Sequence, residues 1–423
     1  MISNTSRLKV IIFGLLNTEG KLMFEVFELG KDERDRRWQK VRGAMKKRGL
    51  RALVVWGFAG FDSCESANFV YLTNVPTFGC LALPGYVIFP LEGEPTIIGF
   101  AKMPGDKLWV NDIRGKRPTY SKAIIERLKE LHLEDASIGI ITTSVVGIGS
   151  TGERAFPYIT YVTLQENLPK ARFEDATNIL DEARRIKSDA EIRCLELGCE
   201  AANAAIQTVV DTARPGVRDY EVMAKLVETL VLNGCEVDTL FLYGSGKDYV
   251  DSGNGQFLNP RYLRTLDAGD FIHTEFNAKY NNYTAQFNQP FSLGEPDKEW
   301  RKVFATAQAS FNSGLKALKP GITLKELTAA LHAPILEAGL TTIRPVFHGL
   351  GLTSEEPLAS TLMGSSCIPY DSFLIQAGMV LELEPHIITK DGKKGTTLGN
   401  PVLVTEKGCR SLNKNKAEVK IIR

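Results

Sequence analysis

Five glutamates and one histidine in the second half of the chain could share a cleft. Glu275 lies in GDFIHTEFNAKY, His348 opens HGLGLTSEEP with Glu355 and Glu356 behind it, and Glu382 and Glu384 sit in VLELEP. On a strand, Glu382 and Glu384 point to the same face, because side chains alternate with a period of two. Carboxyl groups gathered without a compensating cation repel, so at least one is expected to hold its proton near neutrality. Such a set can act as acid and base, or as nucleophile and acid, on a small amide, amidine or cationic substrate. The glycines around His348 permit close backbone approach and leave the imidazole accessible.

Plainer roles stand beside these. Glu355 and Glu356 follow a glycine-rich turn and read rather as solvated loop carboxylates. Glu382 faces a cleft only in one of two strand registers. His273 can share the face of Glu275 or be a satisfied core histidine.

The elements that would position these groups form an internal repeat. ARPGVRDYEVMAKLVETLVLNG and LKPGITLKELTAALHAPILEAG match at Pro-Gly, at Glu221 and Glu326, and at Gly234 and Gly339, all at one offset. Each copy reads as a helix, a Pro-Gly turn and a second helix ending at glycine. Each is followed by β-rich sequence, DFIHTEFNAKY with YTAQFNQPFSLG, then GMVLELEPHII with NPVLVTEKG. Two such halves predict a pseudo-symmetric α+β domain with a central cleft. In YNNY, Tyr280 is assigned to the core.

Upstream, a basic amphipathic helix in DERDRRWQKVRGAMKKRGL precedes RALVVWG, GYVIFPLEGEPTIIG, SKAIIERLKEL and ASIGIITT, an alternation that predicts an α/β domain. The charges of that first helix read as a solvated face. The boundaries expected are an extension over 1–30, an N-terminal domain over 31–175 and a catalytic-type domain over 176–423. The apolar run VIIFGLL is too short to span a bilayer and could be a secretory h-region, though the segment before Met23 reads rather as a stray or mis-started extension.

Composition excludes several classes. Of 423 residues, 43% are hydrophobic and 24% charged, and 51 Lys plus Arg nearly balance 50 Asp plus Glu. That is an ordinary globular composition with no electrostatic footprint for nucleic acid or an anionic membrane. Seven cysteines without paired spacing read as reduced thiols in a cytoplasmic protein.

Taken in order, GDFIHTEFNAKYNNYTAQF, FHGLGLTSEEP and GMVLELEPHIITKDG with NPVLVTEKG resemble the creatinase/prolidase/aminopeptidase P family, whose catalytic domain is the pita-bread fold. ANFVYLTNV and RRIKSDAEI resemble its N-terminal domain and the entry to its catalytic domain, so the resemblance covers most of the chain. It implies a creatinase-like α/β domain followed by a pita-bread domain, and a homodimer in which Phe58, Phe61 and their loop approach a partner's cleft. The metallopeptidases of this family hold two divalent ions with two aspartates, a histidine and two glutamates. Those positions fall here on Glu275, Gln286, His348, Glu384 and Gly399. A second histidine that assists the peptidases falls on Glu355, and the catalytic histidine of creatinase falls on Leu258.

Gln286 is neutral and Gly399 has no side chain, so the charge of two divalent ions would go uncompensated. Glu275, His348 and Glu384 could hold at most one ion, weakly. The expectation is therefore no resident metal or cofactor. Glu384 is expected to bind or attack and His348 to shuttle the proton, with Glu275 as the third catalytic group. Gln286, Asn277, Glu355 and Glu382 would contact the substrate.

The leading expectation is a metal-independent hydrolase acting on a C–N bond of a small molecule. One alternative is an Xaa-Pro aminopeptidase or prolidase with a degenerate or mononuclear metal site, acting on short peptides. The other is a non-catalytic binding protein, which the basic KNKAEVKIIR ending disfavours.

Overall fold

The computed structural model describes residues 27–59, 64–75, 83–99, 108–115, 118–142, 155–237, 241–247, 264–354, 356 and 371–423. Its first part is built on a six-stranded mixed sheet. In spatial order the strands are Asp112–Arg114, Thr96–Ile98, Leu83–Pro90, Ala52–Ala59, Ser137–Ile141 and Arg172–Asp175. Alternation gives each face its own core. Leu53, Val55, Val87, Phe89 and Ile97 pack with Trp38, Val41 and Met45 of the helix Lys31–Arg48. Val54, Ile88, Ile98 and Ile140 pack with Ile124 and Leu128 of the helix Tyr120–Glu130 on the other side.

The repeat emerges as two helix pairs, Asp189–Thr212 with Asp219–Leu232 and Lys298–Ala317 with Leu324–Glu337. Glu221 and Glu326 accept the backbone N–H three residues earlier, at Arg218 (3.3 Å) and Thr323 (2.8 Å). This satisfies a donor that a helix start leaves open. Gly234 and Gly339 close the pairs at φ 84° and 69°, where a Cβ would be strained.

Two four-stranded sheets follow the helix pairs. One orders Lys420–Ile422, Tyr283–Leu293, Phe271–Tyr280 and Phe241–Gly246; the other orders Phe347–Gly349, Val380–Leu383, Asn400–Thr405 and Gly408–Ser411. The Asn281–Asn282 pair makes the tight hairpin at φ 49° and 67°. Two successive positive φ angles suit a two-residue connection between right-twisted strands. Tyr280 on its rim is buried, as expected, and its hydroxyl accepts the Phe27 N–H at 2.9 Å. The outer face of the hairpin, Phe276, Ala278, Ala285 and Phe287, lies under the helix Asp189–Thr212. A Cβ on Gly198 would come 2.6 Å from the Ala278 carbonyl oxygen, so only glycine admits so close a helix.

The sheets meet at a backbone seam. Gly399 N–H donates to Asn288 O at 2.9 Å, and Asn288 N–H returns to Gly399 O at 3.3 Å. This seam places one sheet's polar face opposite the other's.

One expectation fails in the first helix, whose charges do not form a uniformly solvated face. Arg37 is fully buried, donating to Glu33 (2.7 Å) and to the Tyr283 hydroxyl (2.7 Å), which donates to Glu191 (2.8 Å). Buried charges persist where paired and hydrogen-bonded, and this pairing ties the helix Lys31–Arg48 to the hairpin.

Candidate active site

The polar face of the hairpin presents His273, Glu275 and Asn277 on one strand and Asn288 and Gln286 on the next, all buried. His273 thus shares the face of Glu275. Across the seam, His348 is the direct cross-strand partner of Glu382, which places both on one face, and Glu384, just past the strand's end, comes to 3.5 Å from His348. Glu382, Glu384, Glu275 and His348 are 0%, 6%, 7% and 2% exposed.

Two of the three carboxyl groups already have partners. Glu275 accepts the Gln286 amide N–H at 2.9 Å and faces the Arg344 guanidinium at 3.5 Å. Glu384 accepts the Asn288 amide N–H at 3.0 Å, and its other oxygen lies 3.5 Å from His348 Nε2. His348 Nδ1 lies 3.1 Å from the Gly349 carbonyl, the arrangement that fixes an imidazole's tautomer and leaves Nε2 for chemistry.

Glu382 differs from both. Its carboxyl oxygens are buried with no hydrogen-bond partner among the described residues. Burial, then the charges of Glu384 and Glu275, pushes its pKa well above the usual carboxylate range. A raised pKa favours the protonated acid, the state a crowded set of carboxyl groups calls for.

That state makes a prediction for stability. With a folded pKa above the unfolded one, near 4.5, the native state binds the extra proton. The contribution of Glu382 is fully present below that value and falls as pH rises towards the folded pKa, by about 1.4 kcal/mol per unit. Glu382→Gln removes the slope, so the variant should gain on the parent as pH rises above 5 in urea melts. Parallel curves would show that Glu382 is ionised in the fold.

The set fits a two-ion centre poorly. Gln286 points an amide N–H at Glu275 where a ligand carboxylate would be needed. The space of a side chain at 399 is taken, since a Cβ there would stand 2.5 Å from Glu382 Oε1. Arg344, Gln286 and Asn288 supply the positive charge and donors that ions would otherwise bring to Glu275 and Glu384, and His348 Nε2 stands beside Glu384.

Other expected contacts sort unevenly. Gln286 and Asn277 do line the cleft face, but the Gln286 N–H serves Glu275, which leaves its buried carbonyl oxygen without a partner among the described residues. Glu355, Leu258, Phe61 and the side chain of Phe58 lie outside the described residues. Glu356 is no solvated loop carboxylate. It is buried and paired with Arg184 at 2.8 Å, because the loop after His348 folds back onto the Arg184 helix, Thr177–Arg185.

Sequence reading missed Arg344 and Asn288. Asn288 was two residues beyond Gln286 and so on its face, a legible signal, whereas Arg344 reaches Glu275 only through the tertiary path of its loop.

Fold and site together define a class: a pita-bread domain behind a creatinase-type N-terminal domain, with a buried cluster of carboxyl groups at the sheet seam. Residues 193–406 match the metallopeptidase family M24 and residues 37–186 the creatinase/prolidase N-terminal domain. The chain therefore belongs to the M24 family, whose members among its relatives are hydrolases. The Xaa-Pro dipeptidase of Pyrococcus furiosus is 28% identical over 66% of this chain and 76% of its own length. In structure, the X-Pro aminopeptidase from Thermotoga maritima matches with a TM-score of 0.74 at 19% identity, covering 91% of this chain and 99% of its own. The Xaa-Pro dipeptidase from Bacillus anthracis matches at 0.73 and 19%, covering 92% and 99%. At such identities the structures speak for the fold alone. No helix among the described residues is long and apolar enough to cross a membrane.

Proposed function

We propose that this chain hydrolyses a C–N bond of a small substrate without the two-ion centre of its metallopeptidase relatives. One observation carries the reading: Glu275 and Glu384 are already engaged by Gln286, Arg344, Asn288 and His348. Glu384 serves as the carboxylate that takes a proton from the attacking water, and His348 carries that proton to the leaving nitrogen. Glu382 faces the substrate as a neutral acid, with the open carbonyl of Gln286 accepting a substrate N–H. The reading includes a homodimer in the cytoplasm.

The relatives named Xaa-Pro dipeptidase favour a second reading, in which the substrate is a short Xaa-Pro peptide and one ion is held by Glu275, His348 and Glu384. Metal analysis of the dialysed protein separates the two, paired with turnover of Xaa-Pro dipeptides and of small amides and amidines with and without chelator. The first reading expects sub-stoichiometric metal and chelator-insensitive turnover. Stoichiometric metal with chelator-sensitive cleavage of Xaa-Pro would replace it with the second.

A further inference from the structure

Gly399 does not have a left-handed backbone, so its conformation does not demand glycine. Space demands it. A Cβ there would lie 2.5 Å from Glu382 Oε1, 3.0 Å from Glu384 Cβ and 3.1 Å from the Leu383 carbonyl oxygen. Nor can the backbone withdraw, because both its N–H and C=O are bonded to Asn288 at the seam. The obstructing group is a carboxyl of zero exposure with no hydrogen-bond partner among the described residues, an arrangement that costs stability. A fold tolerates such a group most readily where a ligand completes it.

We propose that Glu382 and Gly399 are one coupled exchange. The third carboxyl group of this site stands on the strand Val380–Leu383 rather than at residue 399, which is glycine to admit it, and Glu382 is thereby a substrate-facing group that closes this side of the site to a metal ion. The proposal rests on the metal-independent reading above and explains how the cleft comes to lack the fifth ligand position.

A double-mutant cycle on thermal stability tests the coupling without any substrate. Gly399→Ala should lower Tm by about 5 °C through overpacking. In the Glu382→Ala background the same change should cost clearly less, about half as much, since the obstructing oxygen is gone while the contacts to Glu384 Cβ and the Leu383 carbonyl oxygen remain. If Gly399→Ala alone is insoluble, recovery of folded protein in the double variant is the same result. Additive losses, or a double variant that fails to fold while Glu382→Ala folds, would overturn the coupling.

A second arm tests ion exclusion by titrating Mn²⁺ calorimetrically into Glu275→Asp/Gln286→Asp/Gly399→Glu, with and without Glu382→Ala. Binding only after Glu382 is removed is expected. Equal uptake in both, zero included, overturns the exclusion. Two ions bound by the parent chain would instead sink the metal-independent reading and leave the melting cycle to stand on its own.

Discussion

Glu384→Gln is expected to lower kcat on whichever substrate the chain turns over by about 10²- to 10⁴-fold, the range for losing a positioned acid–base or nucleophilic group. The exchange keeps the side chain's volume, and the amide can still pack beside Asn288 and His348, so the melting temperature should move little. His348→Ala should cost a similar factor. Because the two lie 3.5 Å apart and would act as a unit, the double variant should be scarcely slower than either single one. Multiplying losses would mean that they act independently. Unimpaired turnover in Glu384→Gln would remove the cleft from the reaction altogether.

The largest stability effect is expected at Glu356. Arg184 is 1% exposed, Lys187 7% and Glu356 3%, and Arg184 donates to Glu356 at 3.0 and 2.8 Å. Burial alone would raise the pKa of Glu356, but the Arg184 and Lys187 charges outweigh it and hold the carboxyl below its usual range. Burial likewise lowers Lys187. Glu356→Ala deprives the buried Arg184 guanidinium of its carboxylate partner, beside Lys187, and should cost about 3–5 kcal/mol, read as the urea midpoint. The exposed pair Lys225–Glu228, at 57% and 51%, should lose no more than about 0.5 kcal/mol when Glu228 becomes Ala. Comparable losses at the two positions would contradict the burial argument.

The consequences of Glu356 reach the cleft. Its Oε1 accepts the Leu352 N–H at 3.0 Å, and a Cβ on Gly351 would stand 2.6 Å from that oxygen and 2.9 Å from Lys187 Cε. Gly351 in turn accepts the Thr284 N–H of the hairpin at 2.7 Å. The HGLG segment is thus clamped between an ion pair and a strand two residues from Gln286, which holds His348 in place. A destabilised Glu356 variant that still folds should show reduced kcat as His348 loses its support.

Much of this was written locally. Pro-Gly turns, terminal glycines and Glu221 with Glu326 declared the helix pairs, because caps and turns depend on neighbours a few residues away. Alternation put Glu275 with Asn277, and Glu382 with Glu384, on common faces for the same reason. Family membership was legible in ordered motifs. Gln286 and Gly399 stood out against them because a neutral amide and an absent side chain change charge whatever their surroundings.

What the chain could not declare locally was which charges would be buried and what they would meet. Arg37 and Glu356 read as surface residues and became interior ones, because their elements pack against the Tyr283 strand and the Thr177–Arg185 helix, far away in sequence. Arg344 beside Glu275 and Asn288 beside Glu384 are likewise long-range contacts. The same holds for the 2.5 Å approach of Glu382 to the space above Gly399, residues that lie on adjoining segments and meet only once Val380–Leu383 and Asn400–Thr405 pair. Burial and proximity arise from the packing of whole sheets. The types of the cleft residues were therefore fixed by sequence, and their charge states and partners by the tertiary fold.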